Sequence, residues 1–132
     1  MGSSSSQSST TDDLAAQPFG EDDHVLRLRL YVAGERAATR VGLAWDAALE
    51  SREFAAEKHT IEVIDIVKEP QQAESARVLA TPLAEIAMLA RDGAVLELRR
   101  FVGNLSTPEQ AIEAMRAAGV AVWRRRSATP AR

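Results

Sequence analysis

The stretch Leu26-Arg27-Leu28-Arg29-Leu30-Tyr31-Val32 decides the fold. Leu26, Leu28, Leu30 and Val32 alternate with Arg27, Arg29 and Tyr31. Side chains of an extended chain point to opposite faces in turn, so one apolar set at period two predicts a strand lying on a core. Ala33-Gly34 ends it. From about Thr39 to Lys58 the period becomes helical: Val41, Trp45, Ala48 and Leu49 share one stripe, and the alanines favour helix. Ile61 to Val67 predicts a second strand. Its apolar residues change parity midway, Ile61 and Val63 then Ile64 and Ile66, so both faces are apolar, as in a covered strand of a mixed sheet. Strand, long helix and strand make a βαβ unit, with the strands at Leu26–Val32 and Ile61–Val67 adjacent, parallel and joined by a right-handed crossover.

Beyond this unit, Glu69-Pro70 stops the second strand, and Gln71 to Leu79 predicts a short helix. Ala94 to Val102 predicts another strand, with Leu96, Leu98 and Val102 on one face and Val95 and Phe101 on the other. Leu83 to Ala90 has two readings. Its composition is helical, whereas its place between Pro82 and the later strand suits the first arm of a hairpin turning at Arg91-Asp92-Gly93. Ser106-Thr107-Pro108-Glu109 starts a helix, with Ser106 as cap and Glu109 reaching back to it. Pro108 sits in the first turn, where its missing donor costs little. Ala111, Ile112, Met115 and Ala118 form the helical stripe, and Gly119 ends it.

The chain has 132 residues, 45% of them hydrophobic, which suits one globular domain. Residues 1–22 are rich in Ser, Thr and Asp with few apolar anchors, and are expected to be a disordered leader. Residues 23–123 form the expected folded domain, and 124–132 a flexible Arg-containing tail. A net charge of −3 gives no strong field toward nucleic acid or an anionic membrane. No apolar run is long enough to cross a bilayer. The start lacks the basic-then-apolar pattern of a secretory signal, so a cytoplasmic location is expected. With no cysteine, disulfides, thiolate metal sites and thiol redox chemistry are excluded.

Candidate chemistry is sparse. His24 and His59 stand at strand entrances without a second ligand at metal spacing, and are expected to be exposed or half-exposed. Asp65, inside an apolar strand, needs a partner and is expected to make a structural hydrogen bond. No phosphate-binding glycine motif occurs. Trp123 with Arg124, Arg125 and Arg126 reads as a solvated tail rather than a nucleic-acid contact. No set of acid, base, nucleophile or metal ligands converges, so no catalysis and no cofactor are expected.

Four segments in order resemble the KaiB family of circadian-clock proteins. They are Leu28-Arg29-Leu30-Tyr31-Val32-Ala33-Gly34, Glu62-Val63-Ile64-Asp65-Ile66-Val67-Lys68-Glu69-Pro70-Gln71, Val78-Leu79-Ala80-Thr81-Pro82 and Phe101-Val102-Gly103-Asn104-Leu105-Ser106. The chain departs from the family's pattern at three places. Leu83-Ala84 replaces Thr-Leu after the Ala-Thr-Pro. The proline-rich stretch before the last strand is missing, and Pro82 to Gly103 is longer than usual. Asn104 replaces an Asp. The chain is thus similar to KaiB as a divergent member.

The resemblance implies an α/β, thioredoxin-like fold of order βαβαββα, with a cis peptide before Pro82. It implies a non-catalytic adaptor that docks on a KaiC-like ATPase and competes with a sensor histidine kinase bearing a related domain. An interaction domain engaging a histidine kinase outside a true clock is the alternative. Partner docking is placed at Lys68, Thr81 and Pro82. The resemblance also implies fold switching of the C-terminal half, giving a homo-oligomer, dimer or tetramer, in the free state. Gly103, Asn104 and Leu105 are the hinge it suggests, and a plain strand-to-helix turn is the simpler reading of them. The helical composition of Leu83 to Ala90 suits the rearranged state, and the capping box and amphipathic stripe of Ser106 to Gly119 suit only the thioredoxin-like one. Ordinary propensity overridden by packing accounts for the same conflict.

Overall fold

The computed structural model describes residues 24–121. The expected leader at 1–22, the tail at 124–132 and Trp123 with its arginines lie outside the described residues. The elements are β1 (Val25–Val32), α1 (Glu35–Leu49), β2 (His59–Asp65), α2 (Pro70–Ser75), β3 (Leu83–Leu89), β4 (Val95–Val102) and α3 (Pro108–Ala118). They form one four-stranded sheet of order β2-β1-β3-β4. β1 pairs parallel with β2, Leu30 opposite Val63, as the βαβ pattern predicts. It pairs antiparallel with β3, which pairs antiparallel with β4. This is the thioredoxin-like arrangement, and Leu83 to Ala90 is the hairpin arm rather than a helix.

Leu26, Leu28, Leu30 and Val32 face α1 and α3, where Val41, Trp45, Ala48, Leu49, Phe54, Ala111, Met115 and Val120 complete the main core. Each large side chain taken fully out of water there contributes about 1.5–3 kcal/mol. A smaller cluster of Tyr31, Ile64 and Leu83 lies apart from it, with Ile66, Ala76 and Val78 packed against it. Both parities of the second strand are therefore covered at its carboxyl end. Leu83–Leu89 lies between β1 and β4 and is buried on both faces, with Ala84 and Ala87 fully buried, so packing overrides helix propensity.

Several boundaries differ from the sequence reading. α1 starts at Glu35 rather than Thr39, directly after Gly34, whose φ of 101° no helix interior accepts. It stops at Leu49 rather than running to Lys58. At 100° per residue a continued helix would turn Phe54 about 140° away from Leu49. Breaking the helix lets Phe54 return to the core, where it is buried. The second strand ends at Asp65, whose carbonyl accepts from the N–H of Lys68 at 3.0 Å and of Glu69 at 2.9 Å, turning the chain. α2 begins on Pro70 and ends four residues before Leu79. Arg77, at φ 57°, reverses the chain there, and Val78 N–H donates back to Ala73 O.

The cap of α3 is shifted by one residue. Thr107, not Ser106, is the N-cap, and its partner is Gln110, not Glu109. Thr107 Oγ1 accepts from Gln110 N–H at 3.1 Å, and Gln110 Oε1 accepts from the N–H of both Ser106 and Thr107. This register puts Pro108 at the first helical position, where its fixed φ fits best. Gly119 closes the helix in the left-handed conformation, as expected. His24 is buried, not exposed, because it enters the interior strand β1. The apolar face of β4 is not a core face: Leu96, Leu98 and Val102 are exposed.

Candidate docking site

β1 and β2 run the same way and β3 runs against them, so β2 ends and β3 begins at one end of the sheet. β4 ends there too, with Val102 opposite Leu83. Lys68, the Thr81–Pro82 corner and Gly103-Asn104, far apart in sequence, are therefore brought to the same end. So is Gly34, at the entrance of α1.

This end is stitched across strands. Gly34 N–H donates to Asp65 Oδ1 at 2.8 Å, and the same oxygen accepts from Val67 N–H at 3.0 Å. Asp65 thus makes the structural bonds expected of it, tying the β1–α1 turn to the exit of β2. The Thr81–Pro82 peptide is cis, as expected. Gly103 N–H donates to Pro82 O at 3.1 Å, so the corner and the suggested hinge touch. Gly103 has φ 130°, open to glycine and strained for other residues. Asn104 is exposed, whereas Leu105 is buried and its carbonyl accepts from Trp45 Nε1 at 3.1 Å.

Lys68 is exposed. Beside it Val67 is 69% exposed, and Leu79, just before the corner, is 95% exposed. Sequence reading placed both inside elements: Val67 in the second strand and Leu79 in the short helix. Their exposure follows from where those elements stop, which periodicity does not resolve.

A row of charge crosses the sheet on the face away from α1. Glu62, Arg29, Glu85 and Arg100 stand opposite one another on β2, β1, β3 and β4. Arg29 lies 3.6 Å from Glu62 and 3.9 Å from Glu85, and Glu85 also lies 3.5 Å from Arg27 and 3.7 Å from Arg100. Arg100 further donates to the carbonyl of Ala76 at the end of α2. Tyr31, next along β1, is held above its ordinary pKa, first by burial and then by the Glu85 carboxylate. The alternation of β1 marks Arg27 and Arg29 as one face, but their partners, Glu62 on β2 and Glu85 on β3, come from two other strands and only register reveals them. Among the described residues no group of three or more His, Asp or Glu side chains is placed to hold a metal ion.

A model described as the KaiB domain matches residues 29–85, a span that includes Lys68, Thr81 and Pro82 and stops before Gly103. The chain is similar to a protein from Prochlorococcus marinus named "Circadian clock oscillator protein KaiB". The two are 35% identical over 86 residues, covering 64% of this chain and 74% of the relative. The protein of the same name from Synechococcus elongatus is also 35% identical over 86 residues, covering 64% and 76%. Among solved structures, the N-terminal domain of Synechococcus elongatus SasA superposes with a TM-score of 0.55 at 19% identity, covering 87% of this chain and 95% of that domain. At that identity the likeness speaks for the fold alone.

Proposed function

Because this chain belongs to the KaiB family of circadian-clock proteins, we propose that it is a non-catalytic adaptor that docks on a KaiC-type ATPase, using the end of the sheet that carries Lys68 and the Thr81–Pro82 corner. Lys68 supplies a charged contact, with Val67 and Leu79 as exposed apolar neighbours. The outer edge of β2, which no strand among the described residues covers, offers backbone groups for pairing.

One observation carries the reading: the 3.1 Å bond from Gly103 N–H to Pro82 O. It makes the docking corner and the hinge at Gly103, Asn104 and Leu105 a single unit. A partner that grips the corner as it stands favours the thioredoxin-like arrangement over one in which the C-terminal half has rearranged. A ligand shifts such an equilibrium only by its differential affinity for the two states. In this reading the free chain rearranges and assembles as a homo-oligomer, and docking draws out the thioredoxin-like form.

Affinity capture from native cell lysate, with and without ATP, tests the partner. A KaiC-type ATPase should be retained in a nucleotide-dependent way. Lys68→Glu should weaken capture by about tenfold, the loss of one favourable charged contact and its replacement by a repulsive one, with an unchanged circular-dichroism spectrum. Retention of a histidine kinase in place of any ATPase would move the chain to the alternative reading.

A further inference from the structure

We propose that the groove between α2 and the outer face of β1 and β2 binds a free α-amino acid with a polar, uncharged side chain, its carboxylate on Arg29 and Tyr31 and its ammonium on Glu62. The groove has a volume of about 490 Å³, with Arg29 and Tyr31 of β1, Glu62 of β2, and Gln71 and Ser75 of α2 among its walls. α2 is held over the sheet at its carboxyl end. Arg100 donates to the Ala76 carbonyl there, and Ala76 packs against the cluster of Tyr31, Ile64 and Leu83.

Two groups in the groove carry unused donors. Tyr31 is 3% exposed, yet its hydroxyl makes no hydrogen bond with any described residue. A phenol so far from water ordinarily has a partner. Because Tyr31 lines the groove, the hydroxyl, its one polar side-chain atom, opens into it. Arg29 lies 3.6 Å from Glu62 and 3.9 Å from Glu85, past the length of a hydrogen bond. Its guanidinium donates to no described residue, which leaves the planar fork that takes a carboxylate in two parallel bonds.

The neighbouring charge selects the ligand. Glu62 stands opposite Arg29 in the parallel register and is 56% exposed. A simple anion at Arg29 meets the Glu62 carboxylate, and a simple cation at Glu62 meets the guanidinium. A head group with both charges on one carbon satisfies both. Burial holds Tyr31 above the ordinary phenol value, so at neutral pH its hydroxyl keeps the proton and donates to the ligand carboxylate. Gln71 and Ser75, one turn apart on α2, offer an amide and a hydroxyl to a polar side chain.

Tyr31 is the one tyrosine, so tyrosine-selective labelling of the full chain gives a single NMR ring signal from this groove. The signal should shift saturably with L-glutamine as probe. Glutaramate lacks the ammonium and γ-aminobutyramide lacks the carboxylate, and each should bind more weakly by about tenfold or more, for want of a charge-assisted bond. Glu62→Gln, at an exposed position, should leave the circular-dichroism spectrum unchanged. It should weaken L-glutamine by about tenfold yet strengthen glutaramate, whose anion no longer faces a like charge. Arg29→Lys keeps the charge without the fork and should weaken both carboxylate probes. No saturable shift with L-glutamine would overturn the proposal. So would either truncated probe binding as tightly as L-glutamine, or a Glu62→Gln variant that treats both carboxylate probes as the parent does. The titration is made without any ATPase, so its result is independent of partner capture by Lys68.

Discussion

The indole N–H of Trp45 donates to the carbonyl of Leu105 across 3.1 Å in the buried core, bridging 60 positions of sequence. One end of this bond is on α1, in the strand-helix-strand unit. The other lies on the segment that leads from β4 into α3. The bond therefore fastens the half of the chain suggested to rearrange onto the half that stays.

Trp45→Phe should keep most of the buried ring and lose the donor. The Leu105 carbonyl is then left buried without it, a cost of about 1–3 kcal/mol. Urea unfolding of the variant should show this loss with an unchanged slope. If fold switching operates, the variant should also shift toward larger species on size-exclusion chromatography.

Gly103→Ala acts on the other side of the same junction. A methyl group at Gly103 meets no atom within 4 Å, but the φ of 130° strains any residue with a Cβ. The expected cost to the thioredoxin-like arrangement is about 1–3 kcal/mol. The measurement is the oligomer distribution, which should move away from the state in which Gly103 bonds to Pro82. An elution profile identical to the parent's would show that this position is only a turn.

Tyr31 is the chain's one tyrosine, so phenolate absorbance reports on it alone. Its pKa should lie above the ordinary value of 10.0, chiefly because burial disfavours the anion. Glu85→Gln removes the second cause and should bring the pKa part of the way down. The sign for stability follows: with the folded pKa raised, the folded state holds its proton more tightly than the unfolded one. Stability is therefore complete below the ordinary value and falls as pH rises through the folded one.

Arg116 on α3 and Glu53 in the turn after α1 form a two-pronged ion pair, with N–O distances of 2.7 to 3.0 Å. The Arg116 hydrogen bonds hold the Glu53 carboxyl below its ordinary value of 4.5. The folded pKa is the lower one, so the pair's contribution is present above the ordinary value and is lost as pH falls through the folded value. NMR titration should place Glu53 below its ordinary value of 4.5, and Arg116→Ala should return it toward that value. Both side chains are exposed, so added salt should reduce the difference.

The sequence by itself determined the sheet's parallel half, the strand that became β4 and the end of α3. Alternation in Leu26–Val32, the stripe of Val41, Trp45, Ala48 and Leu49, and Gly119 are local patterns whose period or φ preference admits one backbone conformation. The KaiB resemblance likewise rests on short segments read in order. Only the tertiary structure decided the rest. Leu83–Leu89 is a strand because β1 and β4 flank it, despite its helical composition. Phe54 ends α1 early because the core has room for it beyond the helical stripe. Thr107 takes the cap from Ser106 because the Gln110 amide reaches two N–H groups at once. The row Glu62, Arg29, Glu85 and Arg100 and the bonds from Gly103 to Pro82 and from Trp45 to Leu105 each depend on which elements become neighbours. Pairing between residues dozens of positions apart is set by the collective burial of the core, and no local window of sequence carries it.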